Sequence, residues 1–257
     1  MRLAVDIGNT KTSLGLFADR VLRRSWRIGT RHWTPDELGA ILHLLLSEAC
    51  MQRPSEVSYA CVVPQTRHAV EGMSRGLLGV VPVEVSAATA GIRIDYPDPS
   101  ELGADRLANA VAATVSGRLP AIVADFGTAT TFDVIDASGA YIGGAIAPGV
   151  GTAAAELFRK ADRLNPVDLE PPTSPLGRTT ADAVRSGVLF GAAGAADRLV
   201  ELLSGQLVGM PRLLATGGWA AGIAPLCRSR FETIPDLTLS GIDEVGRRNE
   251  GSRQTDG

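Results

Sequence analysis

Three aspartates in this chain stand in settings where a carboxylate does chemistry. Asp6 ends the apolar run Leu3-Ala4-Val5 and opens Asp6-Ile7-Gly8-Asn9-Thr10-Lys11-Thr12-Ser13. Asp125 ends Ala121-Ile122-Val123-Ala124 and opens Asp125-Phe126-Gly127-Thr128-Ala129-Thr130-Thr131. In both places a glycine follows two residues later, where a side chain would block the approach of an anion to the backbone. Small residues with hydroxyl groups come next. Such a set suits a triphosphate: backbone N–H groups and Thr, Ser or Asn side chains bind the phosphate oxygens, and one carboxylate anchors a divalent metal, often through water. A tight hairpin turn with Asp as a local cap is the competing explanation. The device occurs twice, however, and a further glycine turn, Thr216-Gly217-Gly218, follows another apolar segment; together they point to a nucleotide cleft. The third aspartate, Asp105 in Leu102-Gly103-Ala104-Asp105-Arg106, lies in the first turn of a predicted helix. The helix dipole favours a carboxylate there whatever its task, so both a general base and a simple helix-start preference remain open.

Other chemistries lack their motifs. No G-x-x-x-x-G-K-[ST], G-x-S-x-G or H-E-x-x-H occurs, which sets aside a P-loop kinase, an α/β-hydrolase and a zinc protease. Gly149-Val150-Gly151-Thr152-Ala153-Ala154, with Asp168 beyond it, copies a dinucleotide fingerprint, but Gly143-Gly144 and Pro148 make a poor strand entry and Pro166 breaks the βαβ unit it needs. His32, His43 and His68 are not spaced as ligands; His43, inside an apolar helical run, is expected to be packed. Cys50, Cys61 and Cys227 are odd in number and far apart, which argues against a disulfide framework and for a reducing compartment.

The elements that must position the three aspartates read in order. A hairpin covers residues 3–17, with a third strand at Val21–Ile28. Thr34-Pro35-Asp36-Glu37 starts a helix, with Thr as N-cap and Pro at the first position. Strands are predicted at Val57–Val63 and Val81–Val85 with a helix near residues 66–78 between them, and a helix at Gly103–Ser116 that carries Asp105. After Gly117-Arg118-Leu119-Pro120 the first hairpin recurs 119 residues further on. The second half continues with a loop at Gly143–Gly149, a helix near residues 152–160, and a proline-rich connection through Pro166, Pro171, Pro172 and Pro175. A long helix from about Thr180 to Leu203, a strand at Arg212–Ala215 and a frayed tail at Asn249–Gly257 complete it. A repeat at domain scale implies a duplicated α/β fold with two similar halves, here residues 1–118 and 119–257.

Composition narrows the rest. Hydrophobic residues make up 45% and charged ones 21% of 257, enough apolar surface for a folded core. A net charge of −3 lacks the basic excess a general nucleic-acid binder needs. The one basic run, Arg20, Arg23, Arg24 and Arg27, alternates with apolar residues and reads as a solvated strand face. With no signal-peptide pattern and no long apolar stretch, a soluble cytoplasmic protein without membrane contact is expected.

Taken together, DIGNTKTSLGLF (6–17), ACVVP (60–64), YPDPSELGADR (96–106), DFGTATTFDVI (125–135), GGAIAPG (143–149), GRTTADAVRSG (177–187), ATGG (215–218) and PDLTLSGI (235–242) carry a resemblance. The chain resembles type III pantothenate kinase, of the acetate and sugar kinase/Hsp70/actin superfamily, over nearly its whole length. The resemblance implies two ribonuclease H-like domains of the actin-like ATPase kind, with mixed sheets flanked by helices. It also implies ATP-dependent phosphorylation of pantothenate to 4'-phosphopantothenate, the first step of coenzyme A synthesis. Asp6, Ile7, Gly8, Asn9, Thr10, Lys11, Thr12 and Ser13 match its phosphate-binding segment, and Thr128 a second nucleotide contact. Asp105 matches the general base, and Tyr96, Gly103, Ala104, Arg106 and Thr180 match pantothenate-binding positions. Asp125 matches the ligand of a monovalent cation, K⁺ or NH₄⁺, where the residues alone suggested a divalent metal; Mg²⁺ then travels with ATP near Asp6. A homodimer whose substrate site uses both subunits is implied as well. The alternatives are a non-catalytic regulatory or accessory member of the same family and another small-molecule kinase of the superfamily.

Overall fold

The computed structural model describes residues 1–115 and 117–250. Two units form, each around one five-stranded mixed sheet. In unit 1 the strands are β1 (Arg2–Ile7), β2 (Lys11–Ala18), β3 (Val21–Gly29), β4 (Glu56–Cys61) and β5 (Val83–Glu84), in the spatial order β3-β2-β1-β4-β5. The first three run as antiparallel hairpins, and β4 joins β1 in parallel. That crossover carries α1 (Pro35–Glu48), whose start is set by the expected cap: the Thr34 hydroxyl accepts from the Glu37 N–H at 3.2 Å and the Glu37 carboxylate accepts from the Thr34 N–H at 2.9 Å. Leu38, Leu42 and Leu46 of α1 pack with Leu3, Val5, Leu14 and Tyr59 of the sheet and with Val70 and Met73 of α2 (Arg67–Met73). His43 is exposed rather than packed, because these leucines turn its side of α1 to solvent. Arg23, Arg24 and Arg27 are exposed on edge strand β3, as expected, while Arg20 is exposed in the turn before it, at φ +64°.

Unit 2 repeats this topology. Its strands are β6 (Ala121–Phe126), β7 (Ala129–Ile135), β8 (Tyr141–Pro148), β9 (Arg212–Thr216) and β10 (Glu232–Thr233), in the order β8-β7-β6-β9-β10. The segment predicted as a loop at 143–149 is therefore largely a strand. Glycines and a terminal proline are tolerated in β8 because it is the sheet's edge, where one side of the backbone needs no partner. Phe126, Phe132, Leu189 and Ile223 are among the residues of the second core, between the sheet and α4 (Val150–Lys160), α5 (Thr180–Ser204) and α6 (Ala220–Ile223). Residues 161–179 form neither helix nor strand, in keeping with their prolines. The Ser186 hydroxyl pins this connection by donating to the Pro175 carbonyl at 2.6 Å.

The expected division at residue 118 needs a correction. The linear cut assigned everything after 118 to the second half, but α7 (Leu237–Arg248) belongs to unit 1, where it packs on β1, β4 and α3 (Ala104–Val115). Leu237, Leu239, Ile242 and Val245 are buried there. At the crossing, Gly241 lies so close to α3 that a Cβ would stand 1.9 Å from the Ala108 carbonyl oxygen. Beside it the Thr238 hydroxyl lies 2.8 Å from Asn109 Oδ1, and Arg2 of β1 meets the Asp243 carboxylate at 3.0 Å. Two boundaries also differ: β4 stops at Cys61, and only Val83–Glu84 of the strand predicted at 81–85 forms. Ser116 and the tail from residue 251 onward lie outside the described residues. Among the described residues no helix is long and apolar enough to cross a membrane.

Candidate active site

Unit 1 carries the first hairpin and Asp105. Asp6 pairs with Ser13 and Ile7 with Thr12, so the chain reverses between residues 8 and 11. The Gly8 N–H closes the turn by donating to the Lys11 carbonyl at 3.0 Å. Period-two alternation then sorts the segment. Ile7 and Thr12, each 1% exposed, face the core, while Asn9, Thr10 and Lys11 are exposed and Asp6, Gly8 and Ser13 are half-buried. A direct side-chain contact with a nucleotide is therefore open to the tip and to Asp6 and Ser13. Ile7 and the Thr12 hydroxyl, which is 2.9 Å from that of Thr30, support the turn from inside.

Asp105 lies in the first turn of α3, where Gly103 supplies the carbonyl that accepts the first helical bond, from the Leu107 N–H at 3.1 Å. The carboxylate folds back over the helix start and accepts from the Arg106 N–H at 2.8 Å. A Cβ on residue 103 would stand 2.5 Å from Asp105 Oδ1, so glycine there is a condition of this rotamer. Burial is the largest influence on the carboxyl and raises its pKa above the ordinary aspartate value, against the lowering effect of the Arg106 N–H and guanidinium. A carboxylate held this way binds a proton more readily than one in water, which suits a group that accepts one during turnover. Arg106 follows it directly, and Tyr96, half-buried, lies in the segment leading to α3.

Unit 2 assembles the second hairpin with the glycine turn after β9. The Gly127 N–H donates to the Ala129 carbonyl at 3.0 Å. β9 pairs in parallel with β6, Thr216 opposite Asp125. This register lays Gly217, at φ +91°, against the aspartate: a Cβ there would be 2.4 Å from Asp125 Oδ1. Gly149, between β8 and α4, presses on the turn, where a Cβ would meet the Gly127 and Thr128 carbonyl oxygens at 2.4 and 2.3 Å. Asp125, Gly127, Thr128 and the Thr216-Gly217-Gly218 turn are thus brought together. Thr180 is the first residue of α5 and exposed; it belongs to unit 2, whereas Asp105 and Tyr96 belong to unit 1.

Comparing the two hairpins refines the repeat. β1 and β6 share one burial pattern at an offset of 119, but β2 and β7 share theirs at 118. The second turn is one residue shorter, so the structural partner of Thr12 is buried Thr130 and not Thr131.

Among the described residues no group of three or more His, Cys, Asp and Glu side chains could hold a metal ion. A cation here would rest on a single carboxylate, with backbone carbonyls, water or phosphate oxygens completing its shell, as Mg²⁺ on a nucleotide and monovalent ions both permit. Asp6 and Asp125 each fit that description. Burial raises the thiol pKa of Cys61, beside Ile7 in the sheet, and so disfavours the thiolate that a nucleophile needs; the thiol donates to the Val63 carbonyl.

A family model described as type III pantothenate kinase matches residues 2–202. The chain belongs to the type III pantothenate kinase family. The type III pantothenate kinase of Anaeromyxobacter sp. strain K is 41% identical over 253 residues, covering 97% of this chain and all of that one (100%). That of Desulfosudis oleivorans is 42% identical over 255 residues, with the same coverage of 97% and 100%. Solved structures share the fold at far lower identity. The activator of 2-hydroxyisocaproyl-CoA dehydratase from Clostridium difficile superposes with a TM-score of 0.56 at 13% identity, over 100% of this chain and 98% of its own. A ROK family glucokinase from Streptomyces griseus gives 0.53 at 11%, over 96% and 99%. These likenesses agree with the duplicated ribonuclease H-like architecture. In this chain Asp6 and Asp125 stand one residue before the ends of β1 and β6, and Asp105 is the second residue of α3.

Proposed function

We propose that this chain transfers the γ-phosphoryl group of ATP to the terminal hydroxyl of pantothenate, giving 4'-phosphopantothenate and ADP, and so opens coenzyme A synthesis. The observation that carries this is Asp105: a half-buried carboxylate with raised proton affinity, at the head of a helix, in a chain whose family is type III pantothenate kinase. Asp105 accepts the hydroxyl proton as the alkoxide oxygen forms its bond to the γ-phosphorus and the bond from that phosphorus to the β-γ bridging oxygen breaks. In-line transfer of this kind depends on positioning and charge more than on covalent help from the protein.

Asp6, Gly8, Asn9, Thr10, Lys11 and Ser13 take the triphosphate, and Thr128 provides a further nucleotide contact. Mg²⁺, carried with ATP and held near Asp6, neutralises charge on the β- and γ-phosphates. Asp125 holds a monovalent cation, K⁺ or NH₄⁺. Tyr96, Gly103, Ala104, Arg106 and Thr180 bind pantothenate, whose carboxylate suits the planar fork of the Arg106 guanidinium. The protein acts as a cytoplasmic homodimer, with substrate sites that draw on both subunits. A regulatory protein that had lost turnover would have no use for Asp6, Asp105 and Asp125 together, and all three remain.

An assay of ATP consumption with pantothenate, with and without potassium, tests the proposal. Turnover that depends on pantothenate and is stimulated by potassium is expected. ATP consumption indifferent to pantothenate, or none at all, refutes it.

A further inference from the structure

Thr30, the residue after β3, ties down the tip of the first hairpin at three points. Its hydroxyl donates to the Gly8 carbonyl at 2.7 Å. With that proton engaged, the 2.9 Å contact between the Thr30 and Thr12 hydroxyls runs from Thr12 to Thr30. Its own N–H donates to the Thr10 carbonyl at 3.0 Å. A trans peptide places C=O and the following N–H on opposite sides of one plane. Turning the Gly8 and Thr10 carbonyls toward Thr30 therefore turns the amides of Asn9 and Lys11 away from it, at the exposed end of the hairpin.

The second hairpin has the same arrangement from a different source. By the register of β7 with β8, the residue corresponding to Thr30 is Gly149, which has no side chain to offer. Here the Thr152 hydroxyl, from the first turn of α4, donates to the Thr128 carbonyl at 2.6 Å. The amide sharing that plane, Ala129 N–H, points the opposite way.

We infer that Thr30 and Thr152 are positioning residues of the phosphotransfer reaction: each uses a hydroxyl to hold a turn carbonyl inward so that the next amide, Asn9 in one turn and Ala129 in the other, is aimed at an anionic oxygen of the nucleotide. The inference rests on the reading of the hairpins as phosphate-binding. It assigns the work to backbone N–H groups, which a scan for chemical side chains passes over.

The test compares Thr30→Val, which keeps the shape and removes the hydroxyl, with Thr30→Ser, which keeps the hydroxyl, and repeats the pair at Thr152. Steady-state constants for ATP and pantothenate are read alongside calorimetric binding of Mg²⁺–ADP. The valine variants are expected to raise KM for ATP and weaken ADP binding by about 3–10-fold, the worth of one hydrogen bond, with KM for pantothenate unchanged. The serine variants are expected to stay within about twofold of wild type on the same hydrogen-bond reasoning. Asp6→Asn separates the two levels of the argument. If it leaves ADP binding intact, the hairpin does not bind phosphates and the reading beneath the inference fails. If it weakens binding while both valine variants behave as wild type, the brace alone is wrong. Equal losses in valine and serine, or a rise in both KM values together, would reduce the threonines to a packing role. Should Thr30→Val fail to fold, exposed Thr152 still decides the question.

Discussion

Replacing Asp105 by asparagine separates catalysis from stability. The amide oxygen can still accept from the Arg106 N–H, now 2.8 Å from the carboxylate, and the isosteric side chain still fits against Gly103. Only the proton-accepting charge is lost. Loss of acid–base help lowers kcat by roughly 10²–10⁴-fold, or about 3–5 kcal/mol of transition-state free energy, while KM for ATP changes little. Stability moves the other way. The folded-state pKa of Asp105 is raised, chiefly by burial, so holding the charge costs the fold something once the group ionises. The charge-assisted bond from Arg106 only partly offsets that cost. The stability that favours the protonated carboxyl is fully present below the ordinary aspartate pKa and is lost as pH rises through the raised value. Wild type and variant should therefore unfold alike in acid, and the variant should be equal or more stable at neutral pH. In the wild type, kcat/KM for pantothenate should climb along an acid limb displaced above the ordinary aspartate range, and this limb should vanish in the variant. Coupled kinetics and thermal denaturation across pH read both quantities. An asparagine variant that keeps near-normal turnover, or one whose activity falls only in step with its Tm, refutes the assignment.

The other predictions follow from close approaches in the fold. Gly103→Ala puts a methyl group 2.5 Å from Asp105 Oδ1; because a side chain can swing aside, kcat should fall at least about tenfold with Tm shifted by less than about 3 °C, as expected for a misplaced catalytic group. Gly241→Ala drives a methyl group 1.9 Å from the Ala108 carbonyl, and here the obstacle is backbone. Overpacking of this kind costs about 1–3 kcal/mol or more, which calorimetry should register as a Tm loss of about 3–10 °C. Asp125→Asn removes the one charge proposed to hold the monovalent cation, so the potassium concentration for half-activation should rise by roughly tenfold or more; unchanged potassium dependence would place the ion elsewhere.

Much of this was legible in the residues. Asp-x-Gly after an apolar strand gave both hairpins, and Thr34-Pro35 with Glu37 gave a helix start that closes into a reciprocal cap. What escaped the sequence did so for identifiable reasons. The repeat could be aligned at 119 through Thr131 because Thr130 and Thr131 are identical, and only strand register shows that Thr130 takes the inward place. β8 was hidden by Gly143, Gly144 and Pro148, whose low strand propensity matters little at an edge. Thr30 and Thr152 carried no local signal, since their worth depends on which carbonyl each meets after folding. α7 escaped for the same reason. Its buried leucines say that it packs, while its partner Asn109 lies 129 positions away in the chain.

That last contact bears on how the protein is made. Because α7 completes the first unit, unit 2 is a contiguous insertion in a unit whose own sequence is split. A chain emerging from the ribosome N-terminus first has all of residues 117–236 in hand before the helix that covers α3 exists. Unit 2 should therefore mature before unit 1, which stays open until α7 has been made. A released fragment ending at residue 236 should show protease-resistant unit 2 beside cleavable α3; equal protection of α3 in that fragment would argue against this order.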